Sequence, residues 1–456
     1  MSNTSSFDQL NLSNPLKNAL TDLGFQSPTP IQEEAFSVIM SGKDVVGISQ
    51  TWTGKTFAYL LPLLRDLKYS EQLHPRILIL VPTRELVVQV VDQINSLTTY
   101  MNVRALGVYG GTNINTQKDR VAEGMDILVA TPGRLYDLVL HKSVQLKGVK
   151  KVVIDEVDVM LDLGFRFQLT NLFELLPAKR QHIMFSATMT EDVDTLIDDF
   201  FIAPEKITIA LSGTPLNNID QSAYTIPNFY TKANFLNHLL TDKDEFEKVL
   251  IFVSSKRNAD RLFEILNEEY ESELCVIHSN KSQNYRLRSL DQFNDGKKRL
   301  LIATDVIARG LDLDNVSHVI NMDTPLYPEN YMHRIGRTGR AEKEGKTILL
   351  STEVEMEYKE AIEELMNLEI KLMDLPEEVV ISKELIPEER PKVFQPEISS
   401  KLKHSQPSGE ETHEKKDKNK KVNLGGTYRR ELAKKYKKPL TRGDKNFMNK
   451  SKKKKK

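Results

Sequence analysis

A Gly-Lys-Thr tripeptide near the N-terminus is the first stretch whose residues could do chemistry. The apolar segment DVVGIS (44–49) runs into QTWTGKT (50–56), and a helical pattern follows. Backbone N–H groups at the start of a helix bind phosphate, and the helix dipole adds to the attraction. Lys55 would neutralise the outer phosphates, and the Thr56 hydroxyl would bind Mg²⁺. Ser49 occupies the first glycine position of the strict G-x-x-x-x-G-K-[ST] pattern, but the context still predicts a nucleoside triphosphate site.

A second stretch, VVIDEVD (152–158), ends an apolar run in acidic residues. Asp155 could hold Mg²⁺ directly or through water, and Glu156 could orient or deprotonate an attacking water molecule. Acidic residues at a strand end are also compatible with simple solvation. Together with the upstream Gly-Lys-Thr they predict the metal site of a nucleoside triphosphatase.

A third stretch, HRIGRTGR (333–340), repeats arginine every three residues. On a helix, Arg334, Arg337 and Arg340 would share one face. Guanidinium groups at that spacing suit a triphosphate or a nucleic-acid backbone. The alternative is an exposed basic helix face without a ligand.

The elements that must position these residues alternate between strands and helices. Predicted strands of a first set lie at 44–49, 76–82, 126–131, 149–156 and 182–188, with helical periodicity between them, as at 85–97. A second set lies at 248–255, 273–279, 298–305, 317–323 and 346–352, with a helix at 256–270. This alternation predicts an α/β fold of two domains with parallel sheets, and a segment rich in Gly, Pro, Asn and Ser (210–228) is the linker candidate.

The charge distribution divides the chain into an acidic body and a basic tail. The net charge is only -1, but residues 401–456 contain 21 Lys+Arg and 6 Asp+Glu, a net of +15, which leaves -16 for residues 1–400. The tail has almost no core-forming residues and is predicted to be disordered. Its charge indicates a polyanionic partner, most often nucleic acid, and the alternative is a solubilising tail.

Composition excludes several classes of protein. The sequence has no apolar run long enough for a transmembrane helix, and MSNTSSFDQLNL does not resemble a signal peptide. The single cysteine, Cys275, cannot form an internal disulfide or a four-thiolate zinc site. A reducing, cytoplasmic location without membrane attachment is therefore expected.

Many more ordered motifs make the chain similar to the DEAD-box ATP-dependent RNA helicases of superfamily 2, over about residues 7–375. FDQLNL with GFQSPTPIQ (24–32) resembles the adenine-reading Q motif. SQTWTGKT (49–56), PTREL (82–86), GG (110–111), TPGR (131–134), DEVD (155–158) and SAT (186–188) resemble the motifs of the first domain. VLIFVSS (249–255), HSNKSQNYRLRSLDQF (278–293), ATDVIARGLDL (303–313) and HRIGRTGR resemble those of the second.

The resemblance implies two tandem RecA-like domains that close on ATP, Mg²⁺ and single-stranded or short duplex RNA, without sequence preference. The implied parts are a Q-motif segment (1–33), an ATP-binding domain (34–210), a linker (211–224), a helicase domain (225–378) and a disordered basic tail (379–456). A monomer that works within ribonucleoprotein assemblies is expected, with the tail as an extra RNA anchor.

The resemblance also implies roles for individual residues. Lys55, Glu156, Arg337 and Arg340 would be catalytic, the last two as arginine fingers, and Thr56 with Asp155 would hold Mg²⁺. Asp158, Ser186, Thr188 and His333 would couple nucleotide state to closure. The nucleotide would be bound by Phe7, Phe25, Gln32, Ser49, Gln50, Thr51, Trp52, Thr53, Gly54, Lys55, Thr56 and Asp312. RNA would be bound by Pro82, Thr83, Arg84, Gly110, Gly111, Thr131, Pro132, Arg134, Gln283, Arg286 and Thr304.

Three positions depart from the family pattern. Val157 replaces alanine and Ser279 replaces glycine, both with little expected effect. Trp52 replaces a glycine of the phosphate-binding loop, where a residue without a side chain permits close approach of backbone to phosphate. The leading hypothesis is an active helicase, and the alternative is an RNA-binding clamp or scaffold whose ATPase is impaired by Trp52.

Overall fold

The protein contains two tandem α/β domains, each built on a seven-stranded parallel sheet. The computed structural model describes residues 6–49, 53–209, 218–305, 313, 315–339 and 344–390. The two-domain parallel α/β fold predicted from the sequence is therefore confirmed.

The first sheet has the strand order β3-β4-β2-β5-β6-β1-β7. Its strands are β1 (Val45–Ile48), β2 (Ile77–Leu80), β3 (Ala105–Val108), β4 (Ile127–Ala130), β5 (Lys151–Ile154), β6 (Gln181–Ser186) and β7 (Glu205–Thr208). Its helices are α1 (Asn14–Asp22), α2 (Pro30–Met40), α3 (Lys55–Asp66), α4 (Arg84–Leu97), α5 (Ile114–Ala122), α6 (Pro132–Leu140), α7 (Val157–Asp162), α8 (Arg166–Leu175) and α9 (Glu191–Phe200), and a 3-10 turn covers Phe7–Gln9.

The second sheet has the order β10-β11-β9-β12-β13-β8-β14. Its strands are β8 (Ile219–Thr225), β9 (Val249–Phe252), β10 (Leu274–Ile277), β11 (Leu300–Ala303), β12 (His318–Asn321), β13 (Gly345–Ser351) and β14 (Lys371–Met373). Its helices are α10 (Phe229–Leu240), α11 (Lys256–Tyr270), α12 (Gln283–Asn294), α13 (Pro328–Ile335) and α14 (Met356–Met366), and a 3-10 turn covers Glu353–Glu355.

The central strands are apolar on both faces because helices cover both sides of each sheet. In the first domain, alternate residues of the same strand enter different cores: Ile77 and Ile79 pack on one side of the sheet, and Leu78 and Leu80 on the other. Burial on both faces explains why these strands appear as continuous apolar runs in the sequence.

Two boundaries differ from the sequence prediction. Residues 219–224 belong to β8 of the second sheet, so they are not part of the linker. Residues 379–390 are not disordered, since Val379 and Ile386 are buried in the second domain's core. The Asn228 side chain donates to the Ser382 carbonyl at 2.7 Å, and the Phe229 N–H donates to Glu389 Oε1 at 2.6 Å. The rest of the predicted tail, 391–456, lies outside the described residues.

Two absences hold for the parts of the chain that the structure describes. No helix there has the length and apolar character needed to cross a membrane. No group of three or more His, Cys, Asp and Glu side chains there is arranged to hold a metal ion.

Candidate functional site

The first-domain motifs follow the carboxyl ends of parallel strands and therefore lie along one edge of the sheet. The strand order places the phosphate-loop, acidic and SAT motifs together, after the neighbouring strands β5, β6 and β1. The PTREL, GG and TPGR motifs follow the other neighbours, β2, β3 and β4. Ligands of open parallel sheets bind outside the carboxyl ends of strands. One edge thus carries the motifs predicted to bind nucleotide on one half and those predicted to bind RNA on the other.

The phosphate-binding loop connects β1 to α3. Gly54 adopts a left-handed conformation with φ of 87° at the N-cap of α3, and a side chain there would collide with Gln32. Lys55 is buried, and its Nζ donates to the Ser49 carbonyl at 3.1 Å. Thr53 Oγ1 donates to Ser49 Oγ at 2.9 Å, and Thr56 lies in the first turn of α3. Gln50, Thr51 and Trp52 lie outside the described residues.

The Q-motif segment supports this loop from behind. Thr29 Oγ1 donates to the Thr53 carbonyl at 2.7 Å, and Gln32 Nε2 donates to the Gly54 carbonyl at 3.2 Å. Gln32 Oε1 also accepts from the Thr29 N–H at 3.0 Å, which closes a capping box at the start of α2. Gln32 is therefore a buried brace of the loop in the ligand-free protein.

The two predicted aromatic contacts differ in exposure. Phe25 is 48% exposed and packs edge-to-face on Phe57 at 5.1 Å between ring centroids. An exposed ring beside the loop is free to stack on a base. Phe7 is buried in the first core, so its evident role is to pack the N-terminal segment.

The acidic motif places two buried carboxylates after β5. Asp155 Oδ2 accepts from the hydroxyl of the fully buried Tyr59 at 3.1 Å. Asp155 Oδ1 and Glu156 Oε2 are buried and have no hydrogen-bond partner among the described residues. Burial raises the pKa of Asp155 to about 6, with Lys55 opposing and Glu156 adding to the shift. Orphaned carboxylate oxygens of this kind fit a hard cation such as Mg²⁺, which binds few protein carboxylates and takes its other ligands from water and phosphate.

The backbone of Glu156 adopts a strained, left-handed conformation. Its φ of 54° and ψ of 51° place a residue with a bulky side chain in the left-handed region at the N-cap of α7. Such strain persists only where the surroundings enforce it, and it is frequent at functional sites.

Asp158, Ser186, Thr188 and His333, which are predicted to couple nucleotide state to closure, lie in one cluster. Asp158 Oδ2 accepts from the N–H of Thr188 at 3.1 Å and from its hydroxyl at 2.9 Å. Ser186 Oγ donates to the Thr188 carbonyl at 2.7 Å. His333 of the second domain brings Nε2 within 3.5 Å of the same Asp158 oxygen. Burial alone would raise the pKa of Asp158, but His333, Lys55 and Thr188 hold it below its usual range.

The half of the edge that is predicted to bind RNA contains Arg84 and Arg134, and Arg286 of the second domain meets it at the buried Glu85. Glu85 Oε1 accepts from Arg286 Nη2 and, at 3.1 Å, from Gln283 Nε2, both on α12 of the second domain. Arg134 donates to the Thr112 carbonyl at 2.9 Å but leaves Nε and Nη1 without partners among the described residues. Burial and the charges of Arg286 and Arg134 lower the pKa of Arg84, which Glu85 opposes.

The remaining predicted RNA residues lie at strand ends and helix starts. Arg84 lies against Gly111, whose φ of 79° and lack of a side chain make room for the guanidinium. Thr83 caps α4 by accepting from the Leu86 N–H at 3.3 Å. The others are Pro82 after β2, Gly110 after β3, Thr131 and Pro132 at the start of α6, and Thr304 after β11.

The prediction of a shared arginine face is wrong. The helix α13 ends at Ile335, so Arg337 is not on it. Arg334 is fully buried and donates through Nε and Nη2 to the two carboxylate oxygens of Asp305, at 2.5 and 2.8 Å. It therefore stabilises the second domain and does not face a ligand. Arg337 is buried and donates from Nε to the His333 carbonyl at 3.1 Å, whereas Arg340 and Asp312 lie outside the described residues.

Three residues of the site were not recognised from the sequence. Thr29 braces the loop, Tyr59 fixes the rotamer of Asp155, and Glu85 joins the two domains. The available signal for Glu85 was its place within PTREL, directly after three residues already assigned to RNA. Tyr59 lies four residues after Lys55, among apolar residues, and nothing local distinguishes it from core.

The fold and site together define the class of two-domain nucleoside triphosphatases with a phosphate-binding loop. The model of DEAD/DEAH box helicases matches residues 29–196, and that of the helicase conserved C-terminal domain matches residues 231–342. The chain belongs to the DEAD-box family of ATP-dependent RNA helicases, which are RNA-stimulated ATPases with two RecA-like domains.

Named relatives and solved structures agree with this assignment. The DEAD-box ATP-dependent RNA helicase RhpA of Helicobacter pylori is 38% identical over 374 residues, which cover 81% of this chain and 74% of that protein. The RNA helicase CrhR of Synechocystis is 38% identical over 373 residues, covering 82% and 75%. The structure of S. cerevisiae Dbp5 bound to RNA and ADP BeF3 is 28% identical with a TM-score of 0.74, covering 81% and 96%. That of the DEAD-box helicase Mss116 bound to ssRNA and UDP-BeF is 27% identical with a TM-score of 0.74, covering 81% and 80%.

Proposed function

We propose that this chain hydrolyses Mg²⁺-ATP between its two domains and uses the cycle to clamp RNA and separate short duplexes locally. The observation that carries the proposal is the shared edge of the first sheet. Nucleotide residues occupy one half of it, RNA residues occupy the other, and the second domain contacts both halves through His333 and Arg286. A change in the bound nucleotide can therefore alter the hold on RNA.

On the nucleotide side, Lys55 and the N–H groups at the start of α3 bind the phosphates. Phe25 stacks on the adenine, and Gln32 reads its edge while bracing Gly54. Thr56 and Asp155 would hold Mg²⁺, which when bound offsets phosphate charge and polarises the phosphoryl group. Glu156 orients the attacking water and accepts its proton, since its unpaired Oε2 has no competing donor among the described residues.

On the RNA side, Arg84, Arg134 and Arg286 bind backbone phosphates. The guanidinium group of Arg84 lies within electrostatic reach of those of Arg286 and Arg134, and Glu85 acts on Arg84 and pairs with Arg286. The unused donors of Arg134 are available to phosphate oxygens. Contacts to the backbone position RNA without reading its sequence. The solved structures of Dbp5 bound to RNA and of Mss116 bound to ssRNA support this proposal.

Closure of the two domains links the nucleotide side of the site to the RNA side. Arg337 follows α13 and lies next to His333, which contacts Asp158 of the acidic motif. Arg337 and Arg340 are proposed as arginine fingers that stabilise transition-state charge. We further propose a cytoplasmic monomer whose basic tail adds RNA affinity within ribonucleoprotein assemblies.

The test is RNA-stimulated phosphate release, measured beside separation of a short labelled duplex. The full-length chain and its Trp52→Gly variant are compared, with Lys55→Ala as the inactive control. Phosphate release that rises with RNA in the unmodified chain supports the proposal. RNA binding without release in the unmodified chain, with release restored in Trp52→Gly, supports the impaired clamp.

A further inference from the structure

A cavity of about 260 Å³ lies on the first domain away from the motifs described above. Ile77 and Lys151, the first residues of β2 and β5, line it. The motifs follow the last residues of the same parallel strands. The cavity therefore opens at the opposite edge of the sheet, and we call it the rear cavity.

The lining of the rear cavity is strongly basic. Lys68, Arg76, Lys150 and Lys151 contribute four cations, and Asp66 is the one acidic residue among the lining residues. Residues 1–400 as a whole carry a net charge of -16, so a concentration of positive charge here is unexpected from composition. Clustered like charges repel, and a site that keeps them close is suited to an anionic ligand.

Ion pairs neutralise only part of this charge. Lys151 Nζ pairs with Asp66 at 2.8 Å, and Arg76 Nη2 pairs with Asp126 at 2.8 Å. Among the described residues, the exposed ammonium groups of Lys68 and Lys150 form no ion pair, although Lys68 acts electrostatically on Asp66, and the buried Nε of Arg76 has no acceptor. An unmet buried donor costs free energy in the ligand-free protein.

Hydrogen bonds to main-chain atoms bring the segments that carry these residues together around the cavity. Arg76 Nη1 donates to the Lys68 carbonyl at 2.6 Å, and the Lys150 N–H donates to the Arg76 carbonyl at 2.8 Å. Three of the four basic residues are thus tied to one another.

We propose that the rear cavity binds a backbone phosphate of RNA that extends beyond the strand held at the motif edge. Lysine and arginine donors bind phosphate without regard to base sequence. The proposal rests on the proposed RNA function and adds a second contact to it. The four-residue strands span about 13 Å, so only an RNA longer than the segment at the motif edge reaches the cavity.

The test compares the double variant Lys68→Gln/Lys150→Gln with Lys179→Gln/Lys206→Gln, both in the full chain. The control removes the same charge from exposed lysines outside the cavity. Salt titrations use single strands of about 10 and about 40 nucleotides. For the long RNA, the cavity variant should lower the slope of log K against log salt by about 1.4, because two phosphate contacts of about 0.7 each are lost.

For the short RNA, both variants should match the unmodified chain in affinity and in RNA-stimulated phosphate release. Equal slopes for the cavity variant and its control on the long RNA would overturn the proposal. The proposal would also be overturned if the cavity variant lost affinity for inorganic pyrophosphate but not for the long RNA. The cavity would then bind free phosphate compounds. A short RNA that fails to stimulate the unmodified chain would instead count against the proposed function, and the binding slopes remain interpretable in that case.

Discussion

At the scale of single residues, Glu156 is the proposed base for the attacking water. Glu156→Gln keeps the size of the side chain and leaves Asp155 to hold the metal. We expect ATP and RNA binding to be retained while turnover falls by a factor on the order of 10² or more, because the proton acceptor is lost. Steady-state phosphate release at saturating RNA measures this. Turnover within a few-fold of the unmodified chain would remove Glu156 from this role.

The neighbouring carboxyl group gives a prediction about stability and pH. Burial raises the pKa of Asp155 to about 6 from the ordinary value of 3.8, so the folded chain disfavours the ionised form. Without ligands, ionisation of Asp155 therefore destabilises the fold increasingly as the pH rises from 3.8 to about 6. Below pH 3.8 the carboxyl group is protonated in both the folded and the unfolded chain, and this cost is absent. Asp155→Asn should raise the melting temperature by a few degrees at pH 7.

Melting curves across this pH range, without nucleotide or Mg²⁺, check the prediction. The increase in melting temperature produced by Asp155→Asn should become smaller as the pH falls towards 3.8. The matched control is Asp198→Asn, which removes an exposed carboxylate from α9 and should change little. A gain independent of pH, or equal in the control, would mean that burial of Asp155 is not its cause.

At the scale of elements, α4 and α12 connect the two domains through Glu85 and Arg286. Both side chains are buried, so removing either leaves the other buried without its partner, which is costly. We expect Glu85→Gln and Arg286→Gln each to reduce the increase in RNA affinity that nucleotide produces. The double variant should lose little more than either single one, because both remove the same contact.

RNA affinity measured with and without a non-hydrolysable ATP analogue tests this coupling in all three variants. Glu71→Gln serves as a control, since Glu71 is exposed and distant in sequence from both helices. If the losses of nucleotide-induced RNA affinity in the two single variants add up in the double variant, Glu85 and Arg286 act independently.

Elements also explain what the sequence predicted and what it did not. The ten predicted strands were apolar runs, and each corresponds to a strand of the structure. The four strands that were not predicted are β3, β7, β8 and β14. Three of them, β3, β7 and β14, are the outermost strands of their sheets. Two of these edge strands are largely exposed, since Glu205–Thr208 has only Ile207 buried and all of Lys371–Met373 is exposed, whereas the edge strand Leu274–Ile277 is fully buried and was predicted. A strand pattern based on continuous burial cannot detect the two exposed strands.

The site shows the same division between local and distant information. Lys55, Asp155 and Glu156 could be proposed from the sequence because each lies in a short motif that follows a recognisable strand. Arg334 was misassigned because its partners, Asp305 and Asp323, come from other loops of the second domain. Its spacing from Arg337 is compatible with a helix, but the helix ends between them. Long-range pairing of this kind leaves no local signal.

At the scale of the whole molecule, the charge division between body and tail predicts a role for residues 391–456. Their net charge is +15, and none of the motifs lies among them. The cut is placed after Arg390 because 379–390 pack on the second domain, where Val379 and Ile386 are buried. Deleting 391–456 should lower RNA affinity at low salt and flatten its salt dependence, because fewer phosphate counterions are released.

The rate of phosphate release at saturating RNA should survive the deletion, since the proposed catalytic residues all precede the cut. A solubilising tail would instead predict unchanged affinity. Salt titrations of RNA binding with the full-length and truncated chains separate the two, and a truncation to residue 378 serves as a control for folding. That shorter chain should melt at a lower temperature, because it loses the buried Val379 and Ile386 and the hydrogen bonds of Ser382 and Glu389. Identical salt slopes for the full-length chain and the chain ending at Arg390 would rule out the tail as an RNA anchor.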